Sequence, residues 1–184
     1  MSRERLTPSS YAILGLLARR PGSGYEIGAL AQRTVHHFWP LTRPHIYSEL
    51  AKLEELELVS STEVEQQGVP DKRVYGLTDR GAAELDAWLH DPDPGVQRPR
   101  HPLLIKVFLG ERLEPDQVRA LLDRYRADVE ARRAEFEVVV ADASDGRPRA
   151  TFARLTALFG LRRMEADLAW LDEAQALLEG DGGS

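Results

Sequence analysis

The residues in this sequence best suited to chemistry are hydrogen-bond donors rather than nucleophiles. Thr42-Arg43-Pro44-His45-Ile46-Tyr47-Ser48 sets two hydroxyls, a guanidinium, an imidazole and a phenol within seven positions, and Lys72-Arg73 adds two cations farther on. Groups of this kind hold phosphate oxygens and base edges; they do not break bonds. The remaining candidates for reactivity are weak. His36 and His37 are adjacent, so on a helix they point in different directions, and no carboxylate is spaced to complete a metal site. His45, His90 and His101 are scattered. The absence of cysteine excludes disulfides, thiolate metal sites and cysteine nucleophiles. There is no phosphate-cradling glycine loop, no G-x-S-x-G and no G-x-G-x-x-G. Glu54-Glu55 sits among helical surface charges, where a solvated face is the usual meaning. No enzymatic activity, metal or cofactor is expected.

The elements that must position these donors are legible around them. Thr42 is a suitable N-cap, and Pro44 falls in the first turn, where its missing N–H costs nothing. Ile46, Leu50 and Leu53 then recur at i, i+4 and i+7 as one buried stripe, which leaves Arg43, Tyr47, Ser48 and Lys52 on the other side. After Leu56 the period falls toward two, as in a strand. Gly68, Pro70 and Asp71 supply turn chemistry, and residues 72–77 read as the returning strand. Upstream, Thr7 and Pro8 start a helix whose inward face is Ala12, Ile13, Leu16 and Leu17. Ser23 and Glu26 have capping-box spacing before a second helix that carries Tyr25, Ile27, Leu30 and Ala31. The connection from Thr34 to Leu41 is long, and its Phe38, Trp39 and Pro40 are apolar enough to plug the core; the alternative is that Trp39 lines a ligand pocket. Thr78 caps a fourth helix with Ala82, Leu85 and Leu89 inward and Trp88 beside them. A helix with a basic, hydroxyl-rich N-terminus, followed by a two-stranded ribbon with a basic edge, is the layout of a winged helix-turn-helix, whose second helix enters the major groove end-on. Arg43, His45 and Ser48 are then the candidates for base edges. Tyr47, Lys72 and Arg73 are the candidates for phosphates, and Thr42, Lys52 and Tyr75 complete the DNA-facing set.

Charge works against this reading. The chain carries 24 Lys and Arg against 30 Asp and Glu, a net −6, and residues 1–90 hold 10 basic and 12 acidic groups. A basic footprint can only be local, with Glu54, Glu55 and Glu57 at the far end of the recognition helix, so modest non-specific affinity and steep salt sensitivity are expected. A winged fold that docks a protein and binds no DNA is the alternative this balance favours. The polar start MSRERLTPSS, followed by a short apolar run, is neither a secretion signal nor a membrane span, and a cytoplasmic location is expected.

Residues 91–102 are punctuated by Pro and Gly and read as a linker between a DNA-binding domain over 1–90 and a helical dimerisation domain over 103–184. The fold class is mainly α, an α+β winged helix followed by helices. Residues 115 to about 143 carry apolar positions 118, 122, 125, 129, 136 and 139, a coiled-coil-like seam interrupted by Arg132. Asp145-Gly146-Arg147-Pro148 is a hairpin turn. The last helix, 150–178, has two apolar faces, one with Phe152, Leu155, Phe159, Ala166 and Trp170, the other with Leu158, Leu161, Leu168 and Leu171. Two faces need two neighbours, and a second copy of the chain is the economical one; a three-helix bundle with residues 103–109 is the alternative. Leu122, Tyr125, Val129, Phe136, Leu161 and Leu168 are the expected dimer-interface residues.

The chain resembles the PadR family of transcriptional regulators, in the branch with a virulence-activator-type helical C-terminal domain. The resemblance spans essentially the whole chain. It is carried by Tyr11-Ala12-Ile13-Leu14-Gly15-Leu16-Leu17, Gly24-Tyr25-Glu26-Ile27, Ile46-Tyr47-Ser48-Glu49-Leu50, Leu53-Glu54, Gly68-Val69-Pro70-Asp71-Lys72-Arg73-Val74-Tyr75 and Leu77-Thr78-Asp79-Arg80-Gly81, in this order. It implies a homodimer joined by C-terminal helices, bound to palindromic double-stranded operators and usually repressing, with a phenolic or other aromatic effector. That effector would enter near Trp88 and Trp170. It also places Tyr47 at the family's recognition-helix tyrosine and Lys72 and Arg73 at the wing basics. Two departures stand out: Val69 replaces a frequent wing arginine, and Glu57 stands where many members have the glycine that ends the helix.

Overall fold

The computed structural model describes residues 6–65, 72–93, 95, 100–142 and 148–180, in two compact units, residues 1–95 and 96–184. The wing turn with Gly68, Val69, Pro70 and Asp71, and most of the hairpin turn at 145–148, lie outside the described residues.

The first unit is built by side-chain caps. Helix α1 (Pro8–Leu17) starts at Thr7, which shares a reciprocal capping box with Ser10; α2 (Gly24–Thr34) starts at Ser23, boxed with Glu26; α3 (Arg43–Glu55) starts at Thr42, whose hydroxyl accepts from the His45 amide. Each cap satisfies first-turn N–H groups that no helix can satisfy itself. Strands β1 (Val59–Val64) and β2 (Lys72–Leu77) pair antiparallel, with Val59 opposite Leu77 and Ser61 opposite Tyr75. Gly22 adds a one-residue third strand, exchanging both backbone hydrogen bonds with Tyr75 at 3.0 Å. Helix α4 (Asp79–Leu89) is capped by Thr78.

The stripe expected on α3 is the centre of this unit's core: Ile46, Leu50 and Leu53 are fully buried, packed with Ile13, Leu14, Leu17, Ile27 and Val59. Two expectations need correction. Leu89 does not share the inward stripe of α4, because the last turn runs past the core and leaves it exposed. Leu14, not assigned to the inward face of α1, is fully buried, while Ala12 is half-buried at the edge. Trp39 packs against the core half-buried, its indole N–H donating to Ser9 Oγ at 3.0 Å.

The end of α3 shows how the missing glycine is handled. Glu57 itself adopts the left-handed conformation, φ 58°. This lets the Leu58 amide reach back to the Leu53 carbonyl at 2.9 Å and close the helix. Thr78 Oγ1 donates to the Glu57 carbonyl at 2.9 Å, which ties the cap of α4 to the end of α3.

In the second unit a short helix, α5 (Pro102–Phe108), and a 3₁₀ turn (Gly110–Arg112) precede two long helices, α6 (Pro115–Asp142) and α7 (Pro148–Gly180). The long helices run antiparallel: Arg126 meets Asp172 at 2.6 Å, Tyr125 meets Asp167 at 2.8 Å, and the Phe136 ring sits over Gly160. A β-carbon at Gly160 would lie 2.2 Å from that ring, so a residue without one is what lets Phe136 seat.

Candidate nucleic-acid interface

The solvent face of α3 carries the donors that the sequence singled out. Arg43, His45, Tyr47 and Ser48 are exposed and Lys52 is half-buried, because the stripe of Ile46, Leu50 and Leu53 turns the opposite side inward. Thr42 is exposed too, but its hydroxyl is occupied by the cap. Glu49 belongs to the same helix and is buried; its carboxylate accepts from Ser10 Oγ of α1, fixing the rotation of α3 about its axis.

Helix α2 contributes residues that were not among the candidates. Tyr25 is 61 % exposed, and the Arg43 guanidinium lies over its ring, 5.1 Å from the centroid. The stack pre-orients the long basic donor at the tip of α3. Gly24 allows the close fit beside it, since a β-carbon there would fall 2.5 Å from the Tyr47 ring. The motif Gly24-Tyr25-Glu26 was visible in the sequence, but nothing in local spacing showed that it faces the tip of α3.

The wing is held by ion pairs. Lys72 Nζ donates to Glu26 Oε1 at 2.8 Å, while Glu26 Oε2 accepts from the Ser23 amide at 2.8 Å and from Ser23 Oγ at 3.0 Å. The hydrogen bond from Lys72, and then those from Ser23, hold the Glu26 carboxyl down at about 2, below the ordinary 4.5. Arg73 donates to Glu54 at 2.9 Å and to Ser61 Oγ at 2.7 Å, with its guanidinium 5.5 Å from the Tyr75 ring centroid. Both wing cations stay partly exposed, so each can face phosphate from the protein surface. Tyr75 cannot serve as a DNA contact as expected. The strand alternation turns its ring into the core, where it is 7 % exposed.

The residues expected at a dimer interface take other positions. Val129, Phe136 and Leu161 form a core cluster between α6 and α7 of one chain, with Tyr125 and Leu168 packed against it and Leu122 fully buried. The seam of α6 is therefore covered by α7 of the same chain, and these side chains need no second copy to bury them. Neither does α5 complete a bundle, since none of its residues is buried. Apolar residues left open include Phe152, Leu155 and Phe159 along α7, with Leu104, Ile105 and Phe108 on α5. Arg132, the charged break in the seam, is exposed. Tyr125 carries a polar cluster, its hydroxyl donating to Asp167 at 2.8 Å and lying 3.0 Å from His101 Nε2. Burial, and next the bond to Asp167, push the phenol up to about 12.

Each of the three tryptophans proposed for an effector is placed by its neighbours within its own unit. Trp39 is seated on the core of the first unit. Trp88 stacks on Tyr11, rings 4.5 Å apart and 6° from parallel. Trp170 lines a cavity of about 930 Å³ in the helical unit. Among the described residues no group of three His, Asp or Glu is arranged to hold a metal, and no helix is long and apolar enough to cross a membrane.

Comparison with known proteins gives this geometry a context. Residues 13–87 match the transcriptional regulator PadR-like family, and residues 99–179 match the virulence activator alpha C-terminal domain. The chain is 32 % identical over 193 residues to the probable transcriptional regulator Rv1176c of Mycobacterium tuberculosis, covering 92 % of this chain and 97 % of that one. It is 27 % identical over 179 residues to the negative transcriptional regulator PadR of Bacillus subtilis, covering 93 % and 97 %. The crystal structure of the Bacillus protein in complex with operator DNA superposes with a TM-score of 0.81 at 24 % identity, over 94 % of this chain and 99 % of that chain. The same protein in complex with p-coumaric acid gives 0.74 at 24 % identity, over 92 % and 98 %.

Proposed function

The chain belongs to the PadR-like family of transcriptional regulators, which are not enzymes, and from that premise we propose that it acts as a homodimeric, effector-responsive repressor on a palindromic operator. Residues 1–90 bind DNA in this reading, and 103–184 join the two copies. The observation that carries it is the α3 face: Arg43 held over Tyr25 at the helix tip, with His45, Tyr47 and Ser48 exposed behind it and Lys72 and Arg73 on the wing. Arg43, His45 and Ser48 read base edges. Tyr47, Lys52 and the wing cations hold phosphate. Repression is supported by the likeness to the Bacillus negative regulator, and an aromatic effector by the p-coumaric acid bound to that protein. Dimerisation is supported by Phe152, Leu155 and Phe159 on α7, which no described residue covers. A cytoplasmic location goes with that role. A gel shift against the chain's own promoter region, at low and high salt, tests the DNA reading; a complex that forms at low salt and dissolves steeply as salt rises is the expected result. Sedimentation tests the dimer, since a clean monomer of 20.6 kDa would remove it and the palindrome together.

The alternative, a protein-docking module, draws on one observation. Both wing cations are already paired with carboxylates, in a chain of net charge −6. The same gel shift separates the two, because a docking module would give no complex at either salt.

A further inference from the structure

Lys72 and Arg73 are neighbours on β2, so their side chains leave the ribbon on opposite faces. Each meets a carboxylate from a different helix: Lys72 pairs with Glu26 of α2, and Arg73 pairs with Glu54 in the last turn of α3. On the Arg73 side the contact is a closed ring. Ser61 Oγ donates to Glu54 Oε1 at 2.6 Å and accepts from Arg73 Nε at 2.7 Å, while Arg73 Nη2 donates to Glu54 Oε2 at 2.9 Å. Strand register alone would give a different pair. Glu63 stands directly opposite Arg73 across the ribbon, yet it is exposed and among the described residues takes no ion pair. The guanidinium reaches instead to the diagonal Ser61 and on to α3.

The ring does not use Arg73 up. Two of its five N–H groups are taken and its side chain is 54 % exposed, so the remaining N–H groups can still meet a phosphate. What the ring fixes is where that phosphate must be. Arg43 and Glu54 stand at opposite ends of α3, about 16 Å apart by helical rise. The wing cation and the tip of α3 are therefore held as one body. On random DNA, where no base contact sets the position of the protein, Glu54 only weakens the field of Arg73. On a site that α3 reads, the same carboxylate delivers Arg73 already oriented, which spares the entropy of ordering a long side chain.

We propose, on the reading of α3 and the wing as the DNA-binding face, that Glu54 is a specificity-determining residue: a positioning carboxylate that ties Arg73 to the recognition helix and lowers affinity for random DNA more than for the cognate site.

Affinities are measured for a site that the wild type selects from genomic DNA and for random DNA, at one salt concentration, and their ratio is followed. Glu54→Gln keeps the shape, removes the charge and should tighten random DNA, cutting the ratio about fivefold. Ser61→Ala opens the ring with no change of charge and should cut the ratio about twofold; it decides the matter alone if Glu54→Gln does not fold. Glu63→Gln removes a charge opposite Arg73 but outside the ring, so it should tighten both DNAs alike and leave the ratio unmoved. Equal changes of ratio in Glu54→Gln and Glu63→Gln would reduce Glu54 to general repulsion. A lowered melting temperature with an unmoved ratio would make it structural alone. Either result overturns the proposal while a wild type that still selects its site keeps the DNA-binding reading. A wild type that binds no DNA removes both.

Discussion

The two units bury their apolar residues to different degrees. In the first, α1, α2, α3, α4 and the wing share one core, and what remains exposed around α3 is mostly polar. In the second, α6 and α7 cover one seam and leave Phe108 at 85 % and Phe159 at 68 % exposed. The first unit is closed by its own residues and presents hydrogen-bond donors. The second leaves apolar side chains open on α5 and on the first turns of α7. The surfaces therefore differ in kind: donors suited to a polyanion on one unit, apolar side chains on the other.

Cutting into each unit's packing separates the two. Leu50→Ala removes a fully buried side chain from the centre of the closed core and should cost about 2–5 kcal/mol, read as an earlier urea transition by circular dichroism. Gly160→Ala in the helical unit forces the Phe136 ring off its seat and should cost about 1–3 kcal/mol, with loss of near-ultraviolet dichroism from that aromatic region. Two further variants sharpen the account of the first unit. Glu57→Gly relieves the left-handed strain at the end of α3 and gives up an ion pair to Arg80 whose partners are both well exposed. It should stabilise the protein by about 1 kcal/mol and raise the melting temperature. The smallest effect is in Glu26→Gln. The Glu26 carboxyl is depressed to about 2 from 4.5, so its contribution is fully present above 4.5 and is lost as pH falls through about 2. The stability difference between the wild type and this variant should be constant near neutrality, shrink between those two values, and vanish below the lower one. A difference that persists below pH 2 would mean that the cap, and not the charge, carries the effect.

Much of the first unit was legible because its signals are local. Capping residues, a stripe at i, i+4 and i+7, and a change of period each sit within one element, so Thr7, Ser23, Thr42 and Thr78 announced four helix starts. What escaped depends on residues far apart in sequence. Glu26 and Lys72 are 46 positions apart, and the pairing that ties the wing to α2 leaves no trace in either segment. Tyr75 looked like part of a basic edge, but its ring points inward because of strand register, which residue type alone does not give. The helical unit was harder for another reason. A seam of apolar residues says that something covers it, and whether that is the next helix or another chain is a question of connectivity. Here α7 covers Val129 and Phe136, and the residues left open are Phe152, Leu155 and Phe159, assigned to a face of α7 but not to the interface.

If the face of α3 reads sequence, Arg43 at its tip carries the largest share of the discrimination. Fragments bound by the wild type are selected from genomic DNA, and the affinities of the wild type and Arg43→Ala for a selected site and for random DNA are measured at one salt concentration. The variant should lose about 1–3 kcal/mol on the selected site and far less on random DNA. Equal losses on both would make Arg43 a phosphate ligand, and a wild type that selects no site would contradict the claim itself.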